Sequence, residues 1–340
     1  MAEISRIKDF LLENGGVLAP GAILEEENFI AEEIEHSGDT MNVEAVGTKK
    51  MGPLDGSEFR FFEDGIQRTL YVGHIVVDGA HIPIHYCTVA AVILERTDRR
   101  FHLADELFAK REIVLVSKAN LPKPGTLDIL SEAGIEVVDT EEVSRNFNEL
   151  CRKAQYRSKK ERLDLEAKLI EAWADRHTED SFLVVDGTLM NLRSEEALTR
   201  CIGVSKQMVE RYFNLAEHKR VFSLRYGERS WVFNFKAQED DPRMGARDRL
   251  SWYLRIRDTK GRHPEFGLLR CELSKKHRDS ATRLADRLSQ SLISERYPIS
   301  FPDSRWDKLL YPIRQCEQYL RSRCRPISSV QAAFGRTQRI

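Results

Sequence analysis

Two apolar, strand-like runs in this chain end on Asp-Gly: Arg60-Phe61-Phe62-Glu63-Asp64-Gly65 and Phe182-Leu183-Val184-Val185-Asp186-Gly187. A carboxylate at the mouth of a buried strand, followed by a residue with no side chain, is open to a ligand. Two such carboxylates brought together repel each other unless a cation lies between them. That is the logic of a divalent-metal site for phosphoester chemistry. Asp-Gly is also the commonest hairpin signal, so each step reads equally as a turn. Asp55-Gly56 and Asp78-Gly79 read as ordinary turns.

A third carboxylate stands between the two runs. The pattern from about Glu142 to Arg176 is a long charged helix with Leu163, Ala167, Ile170 and Ala174 as its apolar face and Trp173 at the border. Glu166 falls on that stripe, whereas Glu161, Asp164 and Lys168 fall elsewhere on the wheel. An ionised glutamate on a core face needs a partner. That partner is either an arginine or a metal shared with Asp64 and Asp186; together the three suit Mg²⁺ or Mn²⁺. Glu63 is expected to face away from Asp64 and ranks second, as does Glu95. Among cations, Lys206 follows the Asp186 strand closely. Arg255 and Arg257 alternate beside Trp252 and Tyr253, which suits either a nucleic-acid backbone or a solvated strand face. His81 and His85 are spaced as structural or surface residues on a strand, Lys49-Lys50 lacks the glycines of a phosphate loop, and Lys275-Lys276-His277-Arg278 reads as a solvated helix start.

These residues need elements to position them. Residues 59–63, 69–77 and 82–94 read as three strands of an antiparallel meander, with turns at Asp64-Gly65 and Asp78-Gly79. Further strands are expected at 113–116, 135–138, 252–257 and 267–273. A helical stretch is expected over 193–214, a hairpin over 219–236 turning at Tyr226-Gly227-Glu228, and helices over 275–295 and 309–323. Residues 1–50 read as a helical segment, with an acidic helix over 25–35. Residues 321–340 read as a mobile basic arm, and 297–303 as irregular. Meander, helix, then an acid-bearing strand is the order of RNase H-like cores: an α/β fold with a mixed, largely antiparallel sheet flanked by helices. The 340 residues carry a net charge of −1, so any basic surface must be local. No run spans a membrane, and the six cysteines show no Cys-x-x-Cys pair; together these point to a cytoplasmic protein with reduced thiols.

In order along the chain, these motifs resemble the NurA nucleases, partners of HerA-type translocases. Phe61-Phe62-Glu63-Asp64-Gly65 resembles the family's first motif and Arg162-Leu163-Asp164-Leu165-Glu166 its helical Arg-x-x-x-Glu. Val184-Val185-Asp186-Gly187-Thr188-Leu189 is similar to its Asp-Gly-Ser-Leu, with Thr for Ser. Gly203-Val204-Ser205-Lys206 and Tyr297-Pro298 complete the series. The resemblance implies a nuclease domain over 51–323 with a divergent insert near 98–143, followed by a basic tail over 324–340. It implies a homodimer that cleaves DNA with Mn²⁺ or Mg²⁺ beside a HerA-like hexameric ATPase, in end processing or anti-phage defence. Asp64, Glu166 and Asp186 would be metal ligands, Tyr297 an active-site contributor, and Lys206, Arg255 and Arg257 substrate contacts. The family's histidine after Tyr-Pro is absent here; Arg305 or Asp303 stands in, or the site is reduced. The alternative is a non-catalytic DNA-binding or adaptor subunit of the same complex.

Overall fold

The computed structural model describes residues 2–335 apart from 24–39, 53, 55, 123–124, 178–180, 207–212, 236–248 and 297–305. The expected acidic helix over 25–35, the Asp55-Gly56 turn and Tyr297 with its neighbours Asp303 and Arg305 therefore lie outside the described residues.

After helix α1 (Ala2–Glu13) come strands β1 (Val17–Ile23), β2 (Thr40–Asn42) and β3 (Thr48–Lys50), so the first fifty residues are not simply helical. Three long strands follow: β4 (Phe61–Val77), β5 (Ala80–Thr97) and β6 (Arg100–Val116). The three strands expected over 59–94 are only two, because Asp64-Gly65 makes no turn, and β6 takes in far more than the short strand expected at 113–116. β4 runs straight through Asp64-Gly65, with Asp64 opposite Val92 and Gly65 opposite Ala91. The apolar partners on β5 continue past this point, and pairing them outweighs the local turn preference. Asp78-Gly79 does turn: both residues have positive φ, 49° and 80°, as a two-residue hairpin of this hand requires.

Next come α2 (Asp128–Glu132), β7 (Glu136–Asp139) and the 30-residue α3 (Phe147–Arg176). Residues 98–143, expected as an insert, thus supply two members of the sheet. α3 begins later than the charge pattern suggested because Asn146 caps it, accepting from the N–H groups of Asn148 and Glu149 at 3.0 and 3.2 Å. β8 (Leu183–Asp186), α4 (Glu195–Thr199) and β9 (Cys201–Ser205) follow. The helix expected over 193–214 is thus short, and Gly203 and its neighbours form a strand. α5 (Leu215–Phe222) replaces the first arm of the hairpin expected over 219–236, because Asn214 and Glu217 form a capping box that starts a helix there. β10 (Glu228–Ser230) and β11 (Phe233–Phe235) pair with β12 (Arg249–Arg255) and not with each other. β13 (Leu268–Ser274), α6 (Ala281–Ser294), α7 (Tyr311–Arg323) and α8 (Ile327–Gly335) complete the chain. α8 buries Val330 and Phe334, so most of the tail packs as a helix instead of forming a mobile arm.

The described strands form one 13-stranded sheet in the order β2-β11-β12-β13-β9-β8-β4-β5-β6-β7, with β1 added to β4 and β10 joining β12 and β3. β4–β8, β8–β9 and β6–β7 are parallel and the other pairs antiparallel. Alternation along the strands makes two cores. Phe61, Leu183 and Val185 face α3. Phe62, Val184 and Val204 face α6 and α7. No described helix is long and apolar enough to cross a membrane.

The buried face of α3 is centred on Leu165, Leu169, Ile170 and Trp173, while Leu163 and Ala167 are only half-buried. Trp173 is fully buried at its centre, edge-on to Phe61 at 5.4 Å, because its ring is the largest apolar surface the helix carries. Glu161, read as outward-facing, is buried too, paired with Arg111 at 2.6 Å and Arg157 at 3.0 Å. Trp173→Ala is expected to cost about 3–5 kcal/mol in urea unfolding, and Leu163→Ala distinctly less. Equal losses would return the helix face to where the sequence pattern put it.

Candidate functional site

The parallel register sets Phe61, Phe62 and Glu63 beside Leu183, Val184 and Val185. One step further, Asp64 and Asp186 become neighbours where β8 stops. β1 reaches this edge of β4 only at Leu70. Between the two, residues 65–69 of β4 have no strand partner on that side among the described residues. The gap lies where α3 passes overhead with Arg162 and Glu166.

Alternation sends Glu63 to the α3 face and Asp64 and Asp186 to the α7 face. The four carboxylates therefore approach the gap two from each side. A Cβ built on Gly65 would overlap the Glu166 carboxylate, so this glycine makes room for a side chain from the protein itself. Gly187, at φ 122°, turns the chain sharply after Asp186 in a conformation suited to glycine. A Cβ on Gly203 of β9 would lie 2.9 Å from the Gly187 carbonyl oxygen, so the loop needs a glycine beneath it as well. Glu272 of β13 then pins the loop, accepting from the Leu189 N–H at 3.1 Å.

The charges in the gap do not balance. Glu63 is fully buried and neither of its carboxylate oxygens has a hydrogen-bond partner among the described residues. Asp64 accepts from the Gly65 N–H at 2.8 Å. Arg162 Nη1 donates to Glu166 Oε1 at 2.5 Å, and Lys206 Nζ to Asp186 Oδ2 at 2.7 Å. Four carboxylates thus share two cations. Burial, then repulsion from Glu166 and Asp64, raises Glu63 well above the ordinary carboxyl range, with Arg162 opposing. Burial and then Asp186 do the same to Asp64, against the pull of Lys206. Burial lifts Glu166 to about 7 even though Arg162 opposes it.

Among the described residues no three His, Cys, Asp or Glu side chains are gathered closely enough, as they stand, to hold a metal ion. The donor chemistry nevertheless fits a divalent cation: hard oxygen ligands, surplus negative charge and two unpartnered oxygens on Glu63. Both partners considered for Glu166 are therefore relevant. Arg162 holds it here, while Glu63 beside it has no hydrogen-bond partner among the described residues.

The remaining expectations divide. Arg255 is not a surface contact. It is fully buried and gives its donors to the carbonyls of Leu224 at 3.1 Å, Phe222 at 2.9 Å and Phe266. Arg257 is half-buried, with Nε donating to the Asp307 carbonyl at 3.2 Å. β12 lies three strands from β8, about 14 Å at ordinary strand spacing, so neither arginine joins the acids. Glu95 is paired with Arg60 at 2.8 Å. His85 is buried with its pKa lowered to about 3 by desolvation, and His81 is exposed, as read from the sequence. All six cysteines are free. Glu63 faces away from Asp64, as expected from the sequence, but nothing in the strand shows that α3 brings Glu166 to that same face. Arg162 was legible as the residue four positions before Glu166.

The Glu166 shift carries a stability consequence. Between its ordinary value of 4.5 and its folded value of about 7, the folded chain keeps a proton that the unfolded chain has lost. Folding stability should therefore fall as pH rises through this window. Glu166→Gln should flatten that fall in denaturation series measured across it; an unchanged slope would show that Glu166 is ionised throughout.

Comparison of the sequence with protein-family models gives no match, and none is found among curated proteins. Among solved structures, the chain is similar to the NurA nuclease from Sulfolobus solfataricus, with 9% identity, 81% of each chain covered and a TM-score of 0.42. A likeness of that size assigns neither activity nor residue roles.

Proposed function

We propose that this chain is a metal-dependent deoxyribonuclease subunit with an RNase H-like core. The observation that carries the reading is the convergence of Glu63, Asp64, Glu166 and Asp186 on one open strand edge with too few cations to neutralise them. The order β6-β5-β4-β8-β9, with β8 and β9 parallel to β4 and α3 preceding β8, supports the core assignment. The motif order described from the sequence supports DNA as substrate, a homodimer, and a HerA-like hexameric ATPase as partner in end processing or anti-phage defence.

Asp64, Glu166 and Asp186 would hold Mn²⁺ or Mg²⁺, and Glu63 would add negative charge beneath them. The bound ion would supply Lewis-acid stabilisation of the scissile phosphate and a water acidic enough to attack it. The chain's own residues do the positioning. The loop pinned by Glu272 fixes Asp186, the glycine at 65 admits Glu166, and Lys206 presents an ammonium to the phosphodiester backbone. Tyr297 is a proposed contributor from outside the described residues.

A second reading, a non-catalytic DNA-binding or adaptor subunit, draws on the ion pairs that already occupy Glu166 and Asp186. The two separate in one assay. With Mn²⁺, DNA and the translocase partner, wild type should cleave, and Asp186→Ala should lose activity by about a hundredfold or more while melting cooperatively. A well-folded Asp186→Ala variant that cleaves normally would sink the nuclease reading. DNA binding by wild type without cleavage would establish the adaptor.

A further inference from the structure

We infer that Lys206 and Arg162 are resident counter-ions, standing where a divalent cation binds and displaced when it does. The inference rests on the nuclease reading and concerns what keeps its acidic site folded before the cation arrives.

A buried carboxylate must be compensated in some way. The gap offers a proton, a basic side chain or a metal ion. Two of its four acids hold basic side chains, one on each face of the sheet. Lys206 is bound to Asp186 at 2.7 Å and Arg162 to Glu166 at 2.5 Å. Both cations are themselves largely buried, with side-chain exposures of 12% and 18%. An ammonium held this close to Asp186 would strongly repel a divalent ion on the same carboxylate. The two states therefore compete.

Both basic residues have the means to let go. Arg162 has a second hold, with Nε donating to Gln67 Oε1 at 3.3 Å, so its side chain stays tethered without Glu166. Lys206 lies just past the end of β9, and its carbonyl accepts from Lys308 Nζ at 3.1 Å. Its backbone is anchored there while its ammonium leaves Asp186. The same pairing explains why no three acids are gathered closely enough for a metal: two of them point at their counter-ions. Metal binding would then release two cations at the mouth of the site.

Calorimetric titration with Mn²⁺ tests the exchange. Lys206→Met should bind Mn²⁺ about tenfold tighter than wild type, a difference of about 1.4 kcal/mol. Lys206→Arg, which keeps the charge, should bind like wild type. Without metal, Lys206→Met should melt lower than wild type, and saturating Mn²⁺ should restore it. Arg162→Met provides the same comparison on the other face and replaces Lys206→Met should that variant fail to fold. If wild type binds Mn²⁺ and neither neutral variant binds it more tightly, the exchange is wrong and the nuclease reading stands. If no protein in the series binds Mn²⁺, both are overturned.

Discussion

Crowding four carboxylates into a buried gap with only two basic side chains is the constraint on which this structure turns. Each acid alone would be costly to bury, and their mutual repulsion adds to the cost. The cost is met locally: Glu63, Asp64 and Glu166 are pushed towards the protonated state, and Arg162 and Lys206 hold two of the four. Nothing in packing alone requires this. A hydrophobic residue at Glu63 would suit the α3 core beside Phe61, Leu183 and Val185 at least as well.

The sheet topology makes the crowding possible. A parallel β4–β8 pair ends both strands' acids at the same level, and the stop of β8 leaves β4 with no strand partner on that edge among the described residues until β1 joins at Leu70. In a continuous sheet, alternation would keep Glu63 and Glu166 on one face and Asp64 and Asp186 on the other. At this interrupted edge the two faces communicate. Gly65 is the residue at which they meet, since any side chain there would displace Glu166. Burial of Trp173 against Phe61 sets the height of α3 above that point, so a core contact positions a charged group.

The sequence showed this arrangement unevenly. β5, α3, the strand ending at Asp186 and the hairpin at Asp78-Gly79 were readable because period and turn chemistry are local. The continuity of β4 through Asp64-Gly65 was not, because a turn signal gave way to pairing with β5 some 28 residues away, as Asp64 opposite Val92 shows. β9 was misread as helix for a related reason: its five residues are all buried between β8 and β13 and carry no alternation to reveal a strand. At the site, Asp64, Glu166, Asp186 and Lys206 were legible from type and position. The role of Glu63 was not, because it depends on where a helix about a hundred residues later crosses the sheet.

Buried charge elsewhere in the chain is handled differently, and the contrast identifies what is unusual here. Arg229, fully buried, is bound by Glu44 at 2.7 Å and Asp286 at 2.7 Å and donates to the Ser230 carbonyl. Arg255 donates to three backbone carbonyls, and Glu295 is paired with Arg96 at 2.8 Å. Glu272 has both Arg270 at 2.9 Å and the Leu189 N–H. These groups are compensated as structural charges must be. His85 lacks a partner for either ring nitrogen, but with a pKa of about 3 it is neutral in ordinary buffers and costs far less. Among the described residues Glu63 alone combines full burial, a titratable carboxyl and no hydrogen-bond partner, and it lies beneath a strand edge bounded by three other acids. The buried charges of Arg229, Arg255, Glu272 and Glu295 are closed by partners; those at the end of β8 are left open, which suits the exchangeable cation proposed for this edge.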